Sequence, residues 1–198
     1  MNDYEATIKK ILNENNGFVT TTQVTEAGIP RRCLSTMVEL GTIYRAGRGI
    51  YVLPEVWEDE MFFTQYRFTK GIFSHETALY LHGLTDRTPA RYTMTFPFGY
   101  NTGNVKKQGI IAKISTEETY GLGITTAASP SNNPIKVYDI ERTLCDIVKA
   151  RHRADIQVIN QAMKIYAASK NKNIAKLMNY SDQLRVKPKV LKYMEVLL

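Results

Sequence analysis

The segment from Ile29 to Pro54 constrains the fold of this chain more than any other feature. It begins as IPRRCLSTMVELG, the pattern of a short helix that opens on two arginines and ends at Gly41. The sequence TIYRAGRGIYVLP follows at once, and its two turn glycines supply the positive backbone angles of a tight β-hairpin. A short helix that runs directly into a basic hairpin is typical of a winged helix-turn-helix, so the segment predicts binding to duplex DNA.

The residues before this segment also carry helix signals. One apolar stripe at helical spacing is predicted for the first helix: Tyr4, Ile8, Ile11 and Leu12. The run Thr20-Thr21-Thr22 offers capping hydroxyls for a second helix that Gly28 ends. Pro30 suits the first position of the third helix, whose predicted inner face is Cys33, Leu34, Met37 and Leu40. We therefore expect a winged helix-turn-helix domain over residues 1–54.

Three places in this domain present side chains suited to DNA. The outward face of the third helix carries Arg31, Arg32, Ser35 and Thr36, the hairpin carries Arg45 and Arg48, and the second helix begins with Thr20, Thr21, Thr22 and Gln23. Arginine can bond guanine bidentately or enter the minor groove, and hydroxyls and backbone amides reach phosphates. Two plainer interpretations stay open. The third helix can be an ordinary solvated surface helix, and the threonines can be only a helix cap.

The remaining residues, 55–198, predict a larger mixed α/β domain after a short acidic connection, which makes the chain α+β overall. Alternating residues from Tyr92 to Phe98 indicate a strand, and residues 99–109 are typical of a turn region. Asp139 is a candidate cap for a helix with Leu144 on its inner face. The tail from Ile174 predicts helical structure that is broken near Pro188.

The net charge of the 198-residue chain favours a polyanionic partner. Lys and Arg total 26 against 19 Asp and Glu, a formal charge of +7. Much of the excess falls in a C-terminal group: Lys164, Lys170, Lys172, Lys176, Arg185, Lys187, Lys189 and Lys192. If this group forms a second basic surface, it would bind a longer DNA tract, which could be bent, with strong salt dependence. The alternative is a solvated lysine-rich face.

Catalytic and metal-binding patterns are weak. No phosphate-binding loop and no nucleophile elbow occurs in the sequence. His75-Glu76 resembles the start of a zinc-protease motif, but Leu79 stands at the position of the second ligand. His82 could share a helix face with His75, but two histidines without a third ligand are weak evidence for a metal site. Acidic and basic residues cluster at one helix start, Asp139, Glu141, Arg142 and Asp146, and are interpreted as structural. We expect no catalytic residue, no metal and no cofactor.

Cysteine usage and the N-terminal sequence predict a soluble cytoplasmic protein. The two cysteines, Cys33 and Cys145, lie in separate predicted helices and suggest a reducing compartment. The first residues lack the basic and apolar regions of a signal peptide, and no apolar run has the length of a membrane span.

The order of elements in residues 1–54, with its R-x-x-R-G-x-Y turn, resembles the N-terminal domain of the AbiE abortive-infection antitoxins, the AbiEi family. Two later segments, Phe73–Leu79 (FSHETAL) and Asp139–Asp146 (DIERTLCD), are similar to recurrent segments of that family's C-terminal domain. The resemblance therefore extends over nearly the whole chain.

The resemblance implies the antitoxin of a type IV toxin–antitoxin system linked to phage resistance. Such a protein represses its own operon by binding inverted repeats, and its C-terminal domain counters a nucleotidyltransferase-like toxin without a stable complex. Two other hypotheses remain open from the residues alone. One is a winged-helix repressor whose second domain senses a small ligand. The other is a nuclease or nucleotide-modifying enzyme guided to DNA, based on the Asp139, Glu141, Arg142 and Asp146 group.

Overall fold

Short helices and a small antiparallel sheet make up the N-terminal part of the chain. The computed structural model describes residues 2–56, 59–149 and 154–197, and Met1–Arg67 with Pro130–Asn133 form one compact unit, called the first unit below. Its described elements are α1 (Asn2–Glu14), β1 (Phe18–Thr20), α2 (Thr21–Glu26), α3 (Arg32–Glu39), β2 (Tyr44–Gly47), β3 (Ile50–Val52) and α4 (Glu60–Arg67). The strand order is β1-β3-β2, and β2 and β3 form a hairpin.

A cluster of buried apolar side chains holds the first three helices together. It includes Ile8, Leu12, Val24, Leu34 and Met37. Tyr4 was expected in the same stripe but is 42% exposed, because the first turn of α1 extends past the cluster. The helical spacing therefore predicted the buried residues in the middle of α1 correctly, and it was wrong for Tyr4 in the first turn.

The ends of α3 differ from the prediction. Pro30 precedes the helix, and its carbonyl accepts a hydrogen bond from the Cys33 N–H at 3.0 Å, so a single tight turn leads into α3. Leu40 was expected inside and is 69% exposed. The helix ends at Glu39 and Leu40 is its capping residue, so the inner face stops at Met37. Gly41 then adopts a φ of 70°, the left-handed conformation that commonly ends helices.

β1 was not predicted from the sequence. It has three residues, and all of them are buried, so it shows no alternation of apolar and polar side chains. Its partner β3 lies about 30 residues further along the chain, where Thr20 pairs with Ile50. Only this long-range pairing makes the segment a strand.

The second unit, Phe68–Ser129 with Pro134–Leu198, is mixed α/β as expected. Its described elements are β4 (Ile72–Phe73), α5 (His75–Leu81), β5 (Thr93–Pro97), α6 (Gly103–Lys107), β6 (Ile111–Ser115), α7 (Glu117–Tyr120), β7 (Ile124–Ala128), β8 (Pro134–Tyr138), α8 (Ile140–Ile147), α9 (Ile156–Ala168), α10 (Ile174–Gln183) and α11 (Lys187–Leu197). The sheet order is β6-β5-β4-β8-β7. Parallel pairs β5–β6 and β4–β8 combine with antiparallel pairs β4–β5 and β7–β8.

The expected alternation in β5 is absent. Residues Thr93 to Phe96 are all buried, although Thr93 and Thr95 are polar. Because successive side chains of a strand point to opposite faces of the sheet, this burial means that both faces of β5 are covered. The Thr95 hydroxyl donates to the Ser74 hydroxyl, and the Thr93 N–H donates to the Thr77 hydroxyl, both at 2.8 Å. Phe98, which was expected to continue the apolar face, lies after the strand and is 80% exposed.

One further expectation for the second unit needs correction, since the region expected to be a turn contains α6. The C-terminal tail is helical and broken near Pro188, as expected: α10 ends at Gln183 and α11 begins at Lys187. Pro188 is the second residue of α11, where proline is well tolerated. Asp139 caps α8 as expected, and its carboxylate accepts from the Arg142 N–H at 2.8 Å. No helix in the described ranges is long and apolar enough to cross a bilayer.

Candidate nucleic-acid interface

The start of α2 is a capping box. The Thr20 hydroxyl accepts from the Gln23 N–H at 3.2 Å, and the Gln23 side-chain oxygen accepts from the Thr20 N–H at 2.9 Å. Thr20 is buried, at 4% exposure. Of the two roles considered for these residues, the structure places Thr20 and Gln23 in the cap. Thr21 and Thr22, next in the chain, are more accessible.

A chain of hydrogen bonds connects α2 to both the hairpin and α3. The Thr21 N–H donates to the Gly49 carbonyl at 2.9 Å, which ties the start of α2 to the hairpin turn. The Thr21 carbonyl accepts from the Thr25 hydroxyl at 2.7 Å. The Arg31 Nε in turn donates to that hydroxyl at 3.0 Å. These bonds bring the hairpin turn, α2 and the first arginine of the α3 region onto one continuous surface.

The hairpin turn presents two exposed arginines. Arg45 Nε donates to the Gly47 carbonyl at 3.2 Å, and the strand register shifts between these two residues. Gly49 has a φ of 76°, and a Cβ built on it would lie 2.8 Å from the Thr21 hydroxyl. Only glycine fits this position without strain. Any other residue would have to adopt a left-handed backbone conformation, and its side chain would lie too close to Thr21 on α2. The result is an exposed Arg48 at the tip of a closely packed turn.

Sequence reasoning missed two residues of this surface, Tyr66 and Arg67 at the end of α4. The Tyr66 hydroxyl lies 3.2 Å from that of Thr22, and Arg67 Nη2 lies 3.4 Å from the Cβ position built on Gly47. The predicted domain ended at residue 54, whereas the first unit includes α4. The signal was the aromatic pair in MFFTQYR, since Phe62 and Phe63 pack on a cluster of Phe18, Ile50 and Val52.

Together these residues form what we call the arginine face: Thr21, Thr22, Arg31, Arg45, Arg48, Tyr66 and Arg67. Arg32 and Thr36 lie differently, since they border a groove against α1 together with Tyr4 and Glu5. Ser35 is exposed, three residues after Arg32 and four after Arg31. The residues predicted on the outward face of α3 therefore divide between two neighbours, α2 and α1.

Charge in the first unit is distributed unevenly. Lys9 and Lys10 on α1 pair with Glu5 and Glu14, with N–O distances of 2.8 and 3.9 Å. By contrast, four exposed arginines form no ion pair with any residue that the structure describes: Arg31, Arg32, Arg45 and Arg48. The unit as a whole carries seven Lys and Arg against nine Asp and Glu, a formal charge of −2. Its positive potential is therefore local and centred on these arginines.

The predicted C-terminal basic group divides into engaged and free cations. Lys176 pairs with Asp139 at 2.9 Å and with Glu141 at 3.4 Å, and Lys189 donates to the Val148 carbonyl at 3.1 Å. Lys172 donates to the Ser169 carbonyl at 3.3 Å, and Lys187 pairs with Asp182 at 3.5 Å. The exposed members with neither an ion pair nor a side-chain hydrogen bond to a described residue are Lys164, Lys170, Arg185 and Lys192.

The acidic cluster on α8 is built as a structural anchor. Arg142 is 1% exposed, and its Nε donates to Asp146 at 2.9 Å. Its Nη1 donates to the Thr119 and Leu122 carbonyls, and its Cζ lies 4.3 Å from the Tyr138 ring centre. The Nε and Nη1 groups of this buried guanidinium thus donate to protein acceptors, and its burial leaves no approach for a substrate.

The remaining groups considered for chemistry are also packed into the second unit. Burial, followed by the nearby Asp146 charge, raises the pKa of the Cys145 thiol to about 12, so the thiol is not a nucleophile at neutral pH. His82 Nε2 donates to the Tyr138 carbonyl at 2.7 Å, and His75 Nδ1 lies 3.0 Å from the Ser74 hydroxyl. In the described ranges, no group of three or more candidate ligands could hold a metal ion.

Most of the N-terminal part of the first unit matches a known family. Residues 7–54, from α1 to just after β3, match the family model described as "Transcriptional regulator, AbiEi antitoxin". Over these residues the chain is similar to the AbiEi antitoxin family of transcriptional regulators. The AbiEi match contains every arginine of the arginine face except Arg67. Regulators of the AbiEi family are typically not enzymes.

A similar overall fold is found in a solved structure. The RV2827C protein from Mycobacterium tuberculosis has a TM-score of 0.54 and 12% sequence identity, over 98% of this chain and 81% of that chain. At this identity the likeness concerns the fold alone. No curated protein matches the chain.

Proposed function

We propose that this protein is a DNA-binding repressor and antitoxin of the AbiEi type, in which residues 1–54 form a winged helix-turn-helix supported by α4. The observation that carries the proposal is the arginine face, in which a chain of hydrogen bonds connects the hairpin turn at Gly49, α2 and the Arg31 guanidinium. In this proposal α3 enters the major groove with Arg31, Arg32, Ser35 and Thr36 at its first turns. The β2–β3 hairpin serves as the wing.

Each part of the face has a distinct role in the proposed complex. Arg48, at the hairpin tip, contacts phosphates or enters the minor groove. Thr21 and Thr22 at the start of α2, with Tyr66 beside them, donate hydroxyls to phosphates. Thr20 and Gln23 hold the α2 backbone in place through the capping box. Arg67 adds a positive charge next to the hairpin.

The family resemblance supports the finer points of the proposal. The protein would bind inverted repeats upstream of its own operon, repress that operon, and counteract a nucleotidyltransferase-like toxin through residues 55–198 without a stable complex. A cytoplasmic site of action fits this role. The test of the antitoxin half is co-expression with the product of the neighbouring nucleotidyltransferase-like gene, in which the chain restores growth.

The DNA-binding half is tested with matched charge-removal variants. We expect Arg31→Ala and Arg48→Ala each to weaken binding to the upstream DNA by about 1–3 kcal/mol, the cost of a lost arginine contact. Lys10→Ala removes the same charge from α1, outside the arginine face, and should leave binding unchanged. Fluorescence anisotropy with a labelled duplex measures all three. Equal affinities for the Arg31 and Lys10 variants would show that the arginine face is not the DNA surface.

A further inference from the structure

A groove in the first unit between α1 and α3 has the features of a small-molecule site. It encloses about 440 Å³, within the range of ligand pockets. Tyr4 from α1 and Leu40 at the end of α3 border it, with exposures of 42% and 69%. Cys33 and Met37 form its apolar side along α3. Two large exposed apolar side chains beside one groove leave an apolar surface that a ligand could cover.

The charges of the groove favour an anion. Glu5 and Arg32 are the charged residues of its lining. The Glu5 carboxylate is already paired with Lys9 at 2.8 Å, whereas Arg32 has no ion pair with any residue in the described ranges. A carboxylate is the natural partner of an unpaired guanidinium, because two parallel N–H donors match its two oxygens.

The layout of α3 sets the shape of this anion. Arg32, Thr36 and Leu40 follow one another at intervals of four residues and lie in a row along the helix. At 1.5 Å per residue, Arg32 and Leu40 are about 12 Å apart. The Thr36 hydroxyl between them donates to the Arg32 carbonyl at 3.2 Å, so it presents no free donor. The groove thus has a cationic end, an internally bonded middle and an apolar end.

We propose that this groove binds an elongated amphiphilic carboxylate, with the carboxylate on Arg32 and an aliphatic chain of about eight carbons reaching Leu40. The binding itself stands independently of the proposed function. One consequence rests on the proposed function: a ligand on Arg32 removes that side chain from DNA, so occupancy lowers operator affinity. The site lies in the first unit, on α1 and α3.

The probe is octanoate, titrated into the ¹⁵N-labelled full chain and followed by amide chemical shifts. Butyrate, which has a shorter hydrocarbon tail, tests the contribution of the tail. 1-Octanol, which lacks the carboxylate, tests the contribution of the negative charge. We expect saturable octanoate binding with shifts confined to the first half of α1 and to α3. Both comparison compounds should bind at least about tenfold more weakly, the effect of about 1.4 kcal/mol.

Three variants locate the site. Arg32→Gln should reduce octanoate affinity to that of 1-octanol, and Leu40→Ser should weaken both compounds. Lys10→Gln removes a charge from α1 away from the groove and should change neither. Equal binding of octanoate and 1-octanol, no saturable binding, or shifts spread over the second unit would overturn the proposal. The proposal would also be overturned if Leu40→Ser changed the molecular mass of the protein in solution and left octanoate binding unchanged. The groove would then be the contact between two copies of the chain.

A DNA measurement separates this proposal from the proposed function. Saturating octanoate should weaken binding of the parent protein to the upstream duplex at least fivefold, and 1-octanol at the same concentration should not. If the protein binds no DNA at all, the proposed function fails while the octanoate titration still stands. If octanoate binds at the groove and DNA affinity is unchanged, the competition step is wrong.

Discussion

Arginine has two opposite roles in this protein, and burial distinguishes them. Arg142 is enclosed, with Asp146 and two backbone carbonyls around its guanidinium. Arg31 and Arg48 are exposed and have no carboxylate partner among the described residues. A buried pair is held by geometry and is costly to break, while an exposed arginine without a partner keeps its charge available to a ligand. The same residue type therefore contributes to stability in one unit and, in the proposed function, to recognition in the other.

We expect Arg142→Met to destabilise the protein by about 3–5 kcal/mol, because it leaves Asp146 buried without its main partner. The double variant Arg142→Met, Asp146→Leu should lose less than Arg142→Met alone, since Asp146 is then no longer left as a buried charge without Arg142. Lys9→Met breaks the exposed pair with Glu5 and should cost at most about 1 kcal/mol. Urea denaturation measures all three. Similar losses for the Arg142 and Lys9 variants would contradict the anchor role.

At the scale of elements, the first unit depends on close contacts between short segments. α2 has six residues and β3 has three, so neither is stable by itself. Their positions are set by the Thr21 N–H bond to Gly49 and by the capping box at Thr20. This close contact positions the hairpin arginines relative to α3, because a displaced turn would also displace Arg48.

Gly49→Ala tests this contact against a matched glycine. Gly41 has a similar φ of 70°, but a Cβ there meets nothing within 4 Å, so Gly41→Ala should cost about 1 kcal/mol from backbone strain alone. Gly49→Ala adds the 2.8 Å approach to Thr21 and should cost about 2–3 kcal/mol. Thr21→Ala in the Gly49→Ala background should recover the difference. Thermal denaturation measures the stability of each variant. Equal losses of stability for Gly41→Ala and Gly49→Ala would mean that α2 and the turn are not tightly packed.

At the scale of the whole molecule, most of the net positive charge lies in a different unit from the proposed base-contacting residues. The first unit has a formal charge of −2, and the remaining residues carry 19 Lys and Arg against 10 Asp and Glu, or +9. Non-specific attraction to a polyanion therefore resides mostly in the second unit. We propose that its free cations contribute to DNA affinity. Lys164 and Lys192 are the best candidates, since they line one groove on α9 and α11.

The salt dependence of DNA binding measures this contribution. Each phosphate contact adds about 0.9 to the slope of log K against log salt concentration. We expect Lys164→Gln with Lys192→Gln to make that slope shallower by about 2. The matched double variant Lys106→Gln, Lys107→Gln removes two exposed charges from α6 and should leave it unchanged. An unaltered slope in the first pair would assign those lysines to solubility instead of DNA.

The sequence by itself determined the elements whose signals are local. Three such elements are the helix α3 that stops just before Gly41, the hairpin around Gly47 and Gly49, and the Asp139 cap. Each follows from residues within a few positions of one another. Such features depend on backbone angles and short-range hydrogen bonds, so a single stretch of chain contains the information. The interior of the α1 stripe, with Ile8 and Leu12 in the core, was predictable for the same reason.

Only the tertiary structure decided which of the predicted cations are free and which elements adjoin them. Lys176 is neutralised by Asp139, 37 positions away in the chain, and Thr22 meets Tyr66 over 44 positions. β1 is a strand because of β3, and Arg31 and Arg32 separate because two different helices pack beside them. These outcomes depend on contacts between distant segments, and no local pattern encodes a partner that the chain reaches only by folding.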